Sequence, residues 1–237
     1  MKRVVVLQKY ISPYRVPLFN AINEYNNVDL WLISYGQKEV RRKFKQLDEF
    51  GFGHVQAKNF TRQISYEKNF EIPYGLLPEL KKLRPDVIVC FSDMAGFIAK
   101  LYKRLFKPGV ELVAWSEATI HTELRVSGYK KRLREQFFKT INKYIVPGKL
   151  AMEYILSFNP DADFFEVRNT IHDQKFAVSE AQFDEKWENT EIKLLFSGSL
   201  IKRKGIDYLQ EAYLELITED TKLRETSRLN ILGAGDD

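Results

Sequence analysis

The chain has 237 residues, 44% of them hydrophobic and 29% charged; it is large enough to bury a core, too apolar for a disordered chain, and on a scale of ~150 residues per domain it falls near one and a half domains. No apolar run approaches the ~20 residues that a membrane-spanning helix needs, and the single cysteine, Cys90, excludes an internal disulfide and suits a reducing cytoplasm. The net charge of +5 fits a nucleic acid, an anionic membrane surface or a phosphorylated ligand without choosing among them.

Met1-Lys2-Arg3 and the VVVL after it open like a secretory signal, but Gln8, Lys9 and Tyr10 interrupt the apolar stretch and no small-residue cleavage site follows. Arg3–Leu7 therefore reads as a first strand, apolar enough to be covered on both faces. Ser12-Pro13 signals a helix start, and Val16, Leu18, Phe19 and Ile22 follow at roughly helical spacing, so Tyr14 and Arg15 sit at that helix's N-terminus. Val28–Ser34 is a second strand, residues 36–50 a charged segment, and Gly51–Phe60 a short strand with its turns. Leu76, Leu77, Leu80 and Leu83 make one helical face, ended by Arg84-Pro85-Asp86, which opens the strand VIVCF. Ser92-Asp93 caps the helix MAGFIAKLYKRLF, which Lys107-Pro108-Gly109 stops. Glu111–Trp115 is a further strand ending in Ser116-Glu117, Ser127–Thr140 a basic amphipathic helix, Lys143–Val146 a strand, Gly148–Ser157 a helix and Phe164–Val167 a strand.

Strand and helix alternate without internal repeat, the pattern of a doubly wound α/β domain with a parallel sheet. Residues 173–190 lapse into polar, acidic sequence and read as a linker between a first domain, 1–172, and the start of a second, 191–237. That second series has a strand from Glu191, a helix from about Ile206 to Ile217, a strand at Leu229–Leu232, and Gly233-Ala234-Gly235. Two strands and one helix expose more apolar surface than they cover, so this part is expected either to dock on the first domain or to open something longer.

Within the second series, Leu194–Ala212 reads LLFSGSLIKRKGIDYLQEA: an apolar strand, a glycine turn, three cations at Lys202, Arg203 and Lys204, and a helix start after Gly205. At the carboxyl edge of an open α/β sheet, helix-end N–H groups and cations suit a phosphate, although an ordinary strand–helix connection with a solvated basic turn has the same pattern.

F-S-G-S-L-I-K-R-K-G-I-D-Y-L followed by N-I-L-G-A-G resembles the opening of the donor-binding domain of glycosyltransferase family 4, the retaining enzymes of GT-B fold. Asn169-Thr170-Ile171-His172 with Phe176, Ser12-Pro13-Tyr14-Arg15-Val16-Pro17-Leu18-Phe19 and Arg84-Pro85-Asp86-Val87-Ile88 are similar to further patterns of that family, so the resemblance spans most of the chain. It implies a GT-B fold: a Rossmann-like N-terminal domain on the acceptor side and an incomplete second Rossmann-like domain on the nucleotide-sugar side. It also implies transfer of a sugar, with retention, from a nucleotide-diphosphate donor to a glycan or lipid-linked acceptor. No cofactor beyond that donor, and no metal, is implied. By position Lys204 matches the lysine on the donor phosphates, where an ammonium stabilises the departing nucleotide. The family's arginine falls on Ser199, with Arg203 in the same turn as a replacement, and Gly198 and Gly233 match glycines that admit the donor, as a plain strand-end turn would also use them. The family's paired-glutamate motif has no counterpart up to Asp237, so the alternative is an inactive module that only binds an acceptor or partner.

On the acceptor side the candidates are Tyr14, Arg15, Ser92 and Asp93, with Glu117 and His121 as polar groups at the reacting sugar; a helix cap alone also accounts for Ser92-Asp93. His54 and His172 have no partner at metal-ligand spacing. Arg125, Lys130, Lys131, Arg132, Arg134, Lys139 and Lys143 concentrate over residues 125–143, a basic face that suits anionic lipid at the inner side of a cell membrane. The same segment also fits a core-facing helix with a solvated side, because Leu133, Phe137 and Ile141 fall on one stripe. Nucleic acid is not expected, since no RNP, KH or zinc pattern accompanies the charge.

Overall fold

The computed structural model describes residues 1–36, 50–63, 69–124, 128–169 and 191–235. Most of the charged segment 36–50, the linker 173–190, Arg125 to Ser127, and Thr170, Ile171, His172 and Phe176 lie outside them. The described residues up to 169 form one compact unit and those from 191 onward a second.

The first unit runs β1 (Lys2–Gln8), α1 (Val16–Asn23), β2 (Val28–Ser34), β3 (Gly53–Gln56), β4 (Phe60–Gln63), β5 (Asn69–Ile72), α2 (Leu76–Leu83), β6 (Val87–Cys90), α3 (Met94–Leu105), β7 (Glu111–Trp115), α4 (Ile120–Glu123), α5 (Gly128–Phe138), β8 (Lys143–Val146), α6 (Lys149–Leu156) and β9 (Asp163–Glu166). Seven strands form one parallel sheet in the order β3-β2-β1-β6-β7-β8-β9. β1 is an interior strand, third in that order, pairing with β2 on one side and, in the register Val4↔Val87, with β6 on the other. Helices cover both faces, which is why VVVL, LWLIS and VIVC are apolar without alternation. One core holds Val5, Leu7, Ile88 and Phe137, and the opposite one Val6, Phe19, Leu32 and Trp115.

The local signals act as their chemistry requires. Arg84 closes α2 in the left-handed conformation (φ 51°), its N–H donating to the Leu80 carbonyl at 2.9 Å, and Pro85 prevents continuation. Three elements were not foreseen: the antiparallel hairpin β4–β5, the four-residue α4 and a short helix in the second unit. Leu133 corrects the buried stripe expected of α5: it is 45% exposed, because residues 128–133 lie at the surface and only the last turn enters the core. There Phe137 meets Phe97, and Phe138 meets Tyr154 and Phe158.

The second unit comprises β10 (Ile192–Ser197), α7 (Ile206–Glu219), α8 (Thr221–Thr226) and β11 (Ser227–Leu232). β10 and β11 pair in parallel from Ile192↔Ser227 to Ser197↔Leu232, so the two strands and α7 make a βαβ unit of Rossmann type. Ile206 is buried, whereas Leu195 and Leu232 are exposed.

Candidate functional site

In the first unit the strand order turns at β1, since the chain builds outward to β2 and β3 on one side and to β6 on the other. The crevice at the carboxyl ends of β1 and β6 is where an open α/β sheet binds its ligand. A cavity of about 280 Å³ lies there, with Gln8, Lys9, Tyr14, Arg15, Tyr35 and Asp93 on its wall.

The loop after β1 tightens into a 3-10 turn over Pro13–Arg15, where the Arg15 N–H donates to the Ser12 carbonyl at 2.9 Å and points the Arg15 side chain inward. Only 9% of Arg15 is exposed. Its guanidinium lies 4.7 Å from the centre of the Trp115 ring and 5.7 Å from that of Tyr14, and it donates to Glu117 Oε1 at 3.0 Å. An arginine suits this place because its planar, weakly hydrated head stacks on rings while still donating in plane. The fold thus joins three candidates, Tyr14, Arg15 and Glu117, the last arriving from beyond β7.

Asp93 has two tasks. Its Oδ1 caps α3, accepting from the N–H groups of Ala95 at 2.9 Å and Gly96 at 3.3 Å, while Oδ2 accepts from the Tyr35 hydroxyl at 2.5 Å. Burial holds the Asp93 carboxyl above its ordinary value, against the opposing pull of these donors. Burial first, and the Asp93 charge second, push the Tyr35 phenol well above 10, so it remains a donor at neutral pH. Lys9 is ion-paired with Glu71 of β5 at 2.9 Å. Ser92 is half-buried and does not cap the helix. His121 is exposed on α4, a turn built by mutual bonds of Thr119 and Thr122, while nearby Glu123 turns inward to Arg134 at 2.6 Å. Sequence reasoning missed Tyr35 and Lys9; both directly follow the carboxyl ends of apolar strands, the signal that identified Ser92 and Asp93.

In the second unit the loops after β10 and β11 lie side by side. The Gly198 N–H donates to the Leu232 carbonyl at 3.0 Å and that of Leu200 to Ala234 at 2.9 Å. Lys202–Lys204 form a 3-10 turn, Gly205 reverses the chain at φ 68°, and α7 begins. Gly198, Ser199 and Gly233 therefore gather at one strand edge, beside a helix N-terminus. Lys204 is exposed and Ser199 half-buried, and the side chain of Arg203 lies outside the description. Gly233 has a structural reason to be glycine: a Cβ there would run into the Gly198 carbonyl. A Cβ on Gly198 would meet only the Phe196 ring, 3.6 Å away.

Among the described residues no three His, Cys, Asp or Glu side chains converge as metal ligands. Cys90 is fully buried, and burial pushes its thiol far above the ordinary range, so it is no nucleophile. No described helix is long and apolar enough to cross a membrane.

No family profile and no curated protein matches the chain in sequence. Solved structures do match in fold. Sucrose-phosphate synthase from Thermosynechococcus elongatus is 9% identical with a TM-score of 0.61, the alignment covering 98% of this chain and 71% of that one. A trehalose-6-phosphate protein from E. coli bound with UDP-2-fluoro glucose is 11% identical with a TM-score of 0.65, covering 99% and 65%. UDP-GlcNAc 2-epimerase from Neisseria meningitidis bound to UDP-GlcNAc is 15% identical with a TM-score of 0.53, covering 98% and 65%. These likenesses show the fold, a GT-B type α/β architecture with a doubly wound Rossmann-like N-terminal domain. The chain spans about two thirds of the length of the latter two proteins.

Proposed function

We propose that this chain is part of a glycosyltransferase, of the kind that family 4 represents, which moves a sugar with retention from a nucleotide-diphosphate sugar to a glycan or lipid-linked acceptor. The observation that carries the reading is the pairing, in one chain of GT-B fold, of a polar cleft at the β1/β6 crevice with a glycine turn, exposed Lys204 and helix start after β10. In the reaction the bond from the anomeric carbon to the diphosphate oxygen breaks. The acceptor hydroxyl oxygen bonds to that carbon on the same face, and its proton leaves to the diphosphate or to solvent.

The roles follow from chemistry. Lys204, with Arg203 in the same turn, neutralises charge growing on the leaving diphosphate, while Gly198, Ser199 and the backbone beside Gly233 let it approach. Tyr14, Arg15, Ser92 and Asp93 form the acceptor wall. Glu117, fixed in direction by Arg15, and His121 supply polar contacts at the reacting sugar. If the acceptor is lipid-linked, residues 125–143 meet the inner face of a cell membrane through Lys130, Lys131, Arg132 and Lys139. Arg134 and Lys143 contribute less, being ion-paired with Glu123 and Glu111.

The test is ligand-detected NMR and turnover with UDP- and GDP-sugars on the full natural protein. Binding of one donor, its loss in Lys204→Ala, and transfer to a saccharide support the reading. No binding of any donor, or epimerisation of UDP-GlcNAc without transfer, overturns it.

A further inference from the structure

A larger cavity lies at the opposite, amino-terminal edge of the sheet, between the end of α3 and the starts of β7 and β8. It measures about 720 Å³, and Phe97, Leu101, Leu112 and Ile141 give it an apolar lining. Its rim carries Lys100, Lys103, Arg104 and Lys143, against one lining acid, Glu111. Glu111 is ion-paired with Lys143, which also feels Asp163, and Glu111 senses Lys103 more weakly. Lys100 donates instead to a neutral oxygen, Thr140 Oγ1, at 2.7 Å. Lys103 and Arg104 make no ion pair among the described residues. Lys100, Lys103 and Arg104 thus stand beside an apolar lining without an ion-paired acid among the described residues.

Cations in the last turn of a helix serve the helix dipole, but that does not account for the leucines between them. Leu101 and Leu105, one turn apart on α3, are 43% and 59% exposed, and Phe106 beyond them is 45% exposed. A small soluble anion has no use for these side chains. A bilayer does, since its phosphates lie at the level of the cations and its acyl region begins below them.

We propose that this cavity and the exposed turn of α3 are a docking site for an anionic phospholipid bilayer, with a headgroup phosphate among Lys100, Lys103 and Arg104 and with Leu101 and Leu105 in the acyl boundary. The surface differs from the α5 face, because its charge is combined with exposed leucines on one helix. The proposal does not depend on sugar transfer.

The experiment is co-sedimentation of the full protein with equimolar phosphatidylglycerol–phosphatidylcholine vesicles and with pure phosphatidylcholine vesicles. Binding is expected to the first only, to weaken about tenfold or more in Lys103→Gln/Arg104→Gln, and to weaken several-fold in Leu105→Ser at unchanged thermal midpoint. Lys130→Gln/Lys131→Gln/Arg132→Gln is expected to weaken binding less than Lys103→Gln/Arg104→Gln does. Three results overturn the proposal: no vesicle binding, loss in the α5 triple variant with none in the α3 variants, or saturable binding of inorganic phosphate by NMR at this cavity without any vesicle binding.

Discussion

The two units begin from the same sequence pattern, an apolar strand followed by a turn and an amphipathic helix, and end in opposite circumstances. In β1, Val5 and Leu7 are fully buried between helical layers, whereas in β10 Leu195 is 68% exposed. An apolar parallel strand is therefore not stabilised by its own sequence but by the helices laid over it, and in the described residues only the first unit supplies them on both faces. Stability should reside in the first unit, while the second places a turn.

The most direct way to break this contrast is to truncate a large apolar side chain in each unit. Phe137→Ala, at a fully buried ring, is expected to cost about 3–5 kcal/mol, whereas Leu195→Ala should cost less than ~0.5 kcal/mol. Urea denaturation followed by tryptophan fluorescence reads both, and equal losses would refute the contrast. Within the second unit, Gly233→Ala forces a methyl group against the Gly198 carbonyl and is expected to cost about 1–3 kcal/mol. Amide exchange should accelerate in β10 and β11 alone, and Gly198→Ala should leave it unaltered.

A smaller effect separates the units by pH. Burial raises the Asp93 carboxyl in the folded state, so its contribution to stability is complete below the ordinary carboxylate value and declines as pH rises through the folded one. Asparagine caps a helix about as well as aspartate, and with its oxygen on the cap its Nδ2 donates to the Tyr35 hydroxyl oxygen. Asp93→Asn should therefore match the parent near pH 3 and exceed it in urea midpoint by pH 7; parallel profiles would show that Asp93 does not titrate upward. The smallest change in stability belongs to Lys204→Ala, within ~0.5 kcal/mol at an exposed site, yet nucleotide-sugar binding should weaken about tenfold or more if the ammonium touches phosphate. Calorimetric titration of the same variant decides it.

The elements visible in the sequence were those whose signal is local. Asp93 before MAGFIAKLYKRLF and Arg84-Pro85 after a leucine face specify their ends within a few residues. The hairpin β4–β5 was hidden because Phe60-Thr61-Arg62-Gln63 makes sense as a strand only when Phe60 faces Ile72 and Arg62 faces Phe70. α4 was hidden because threonine, not glutamate, closes its capping box. The site was half legible for the same reason. Strand ends mark Tyr14 and Asp93, but a cation in a loop looks solvated until Trp115 and Glu117, about 100 residues later, are seen to enclose Arg15. Gly233 carries the opposite lesson: the residue type was read from a motif, and the carbonyl that requires it belongs to another loop.

The place of β1 inside the sheet has a consequence for the order of events during synthesis. Val4 pairs with Val87, so β1 must wait for a partner 83 residues further along the chain. At ~5–20 residues per second, roughly 4–17 s separate the two. During that interval β2 can occupy one side of β1, but the other hydrogen-bonding edge of Lys2–Gln8 stays open. β1 is thus the strand of this sheet whose second edge waits longest for its partner, and that edge is open to wrong pairing until VIVC emerges.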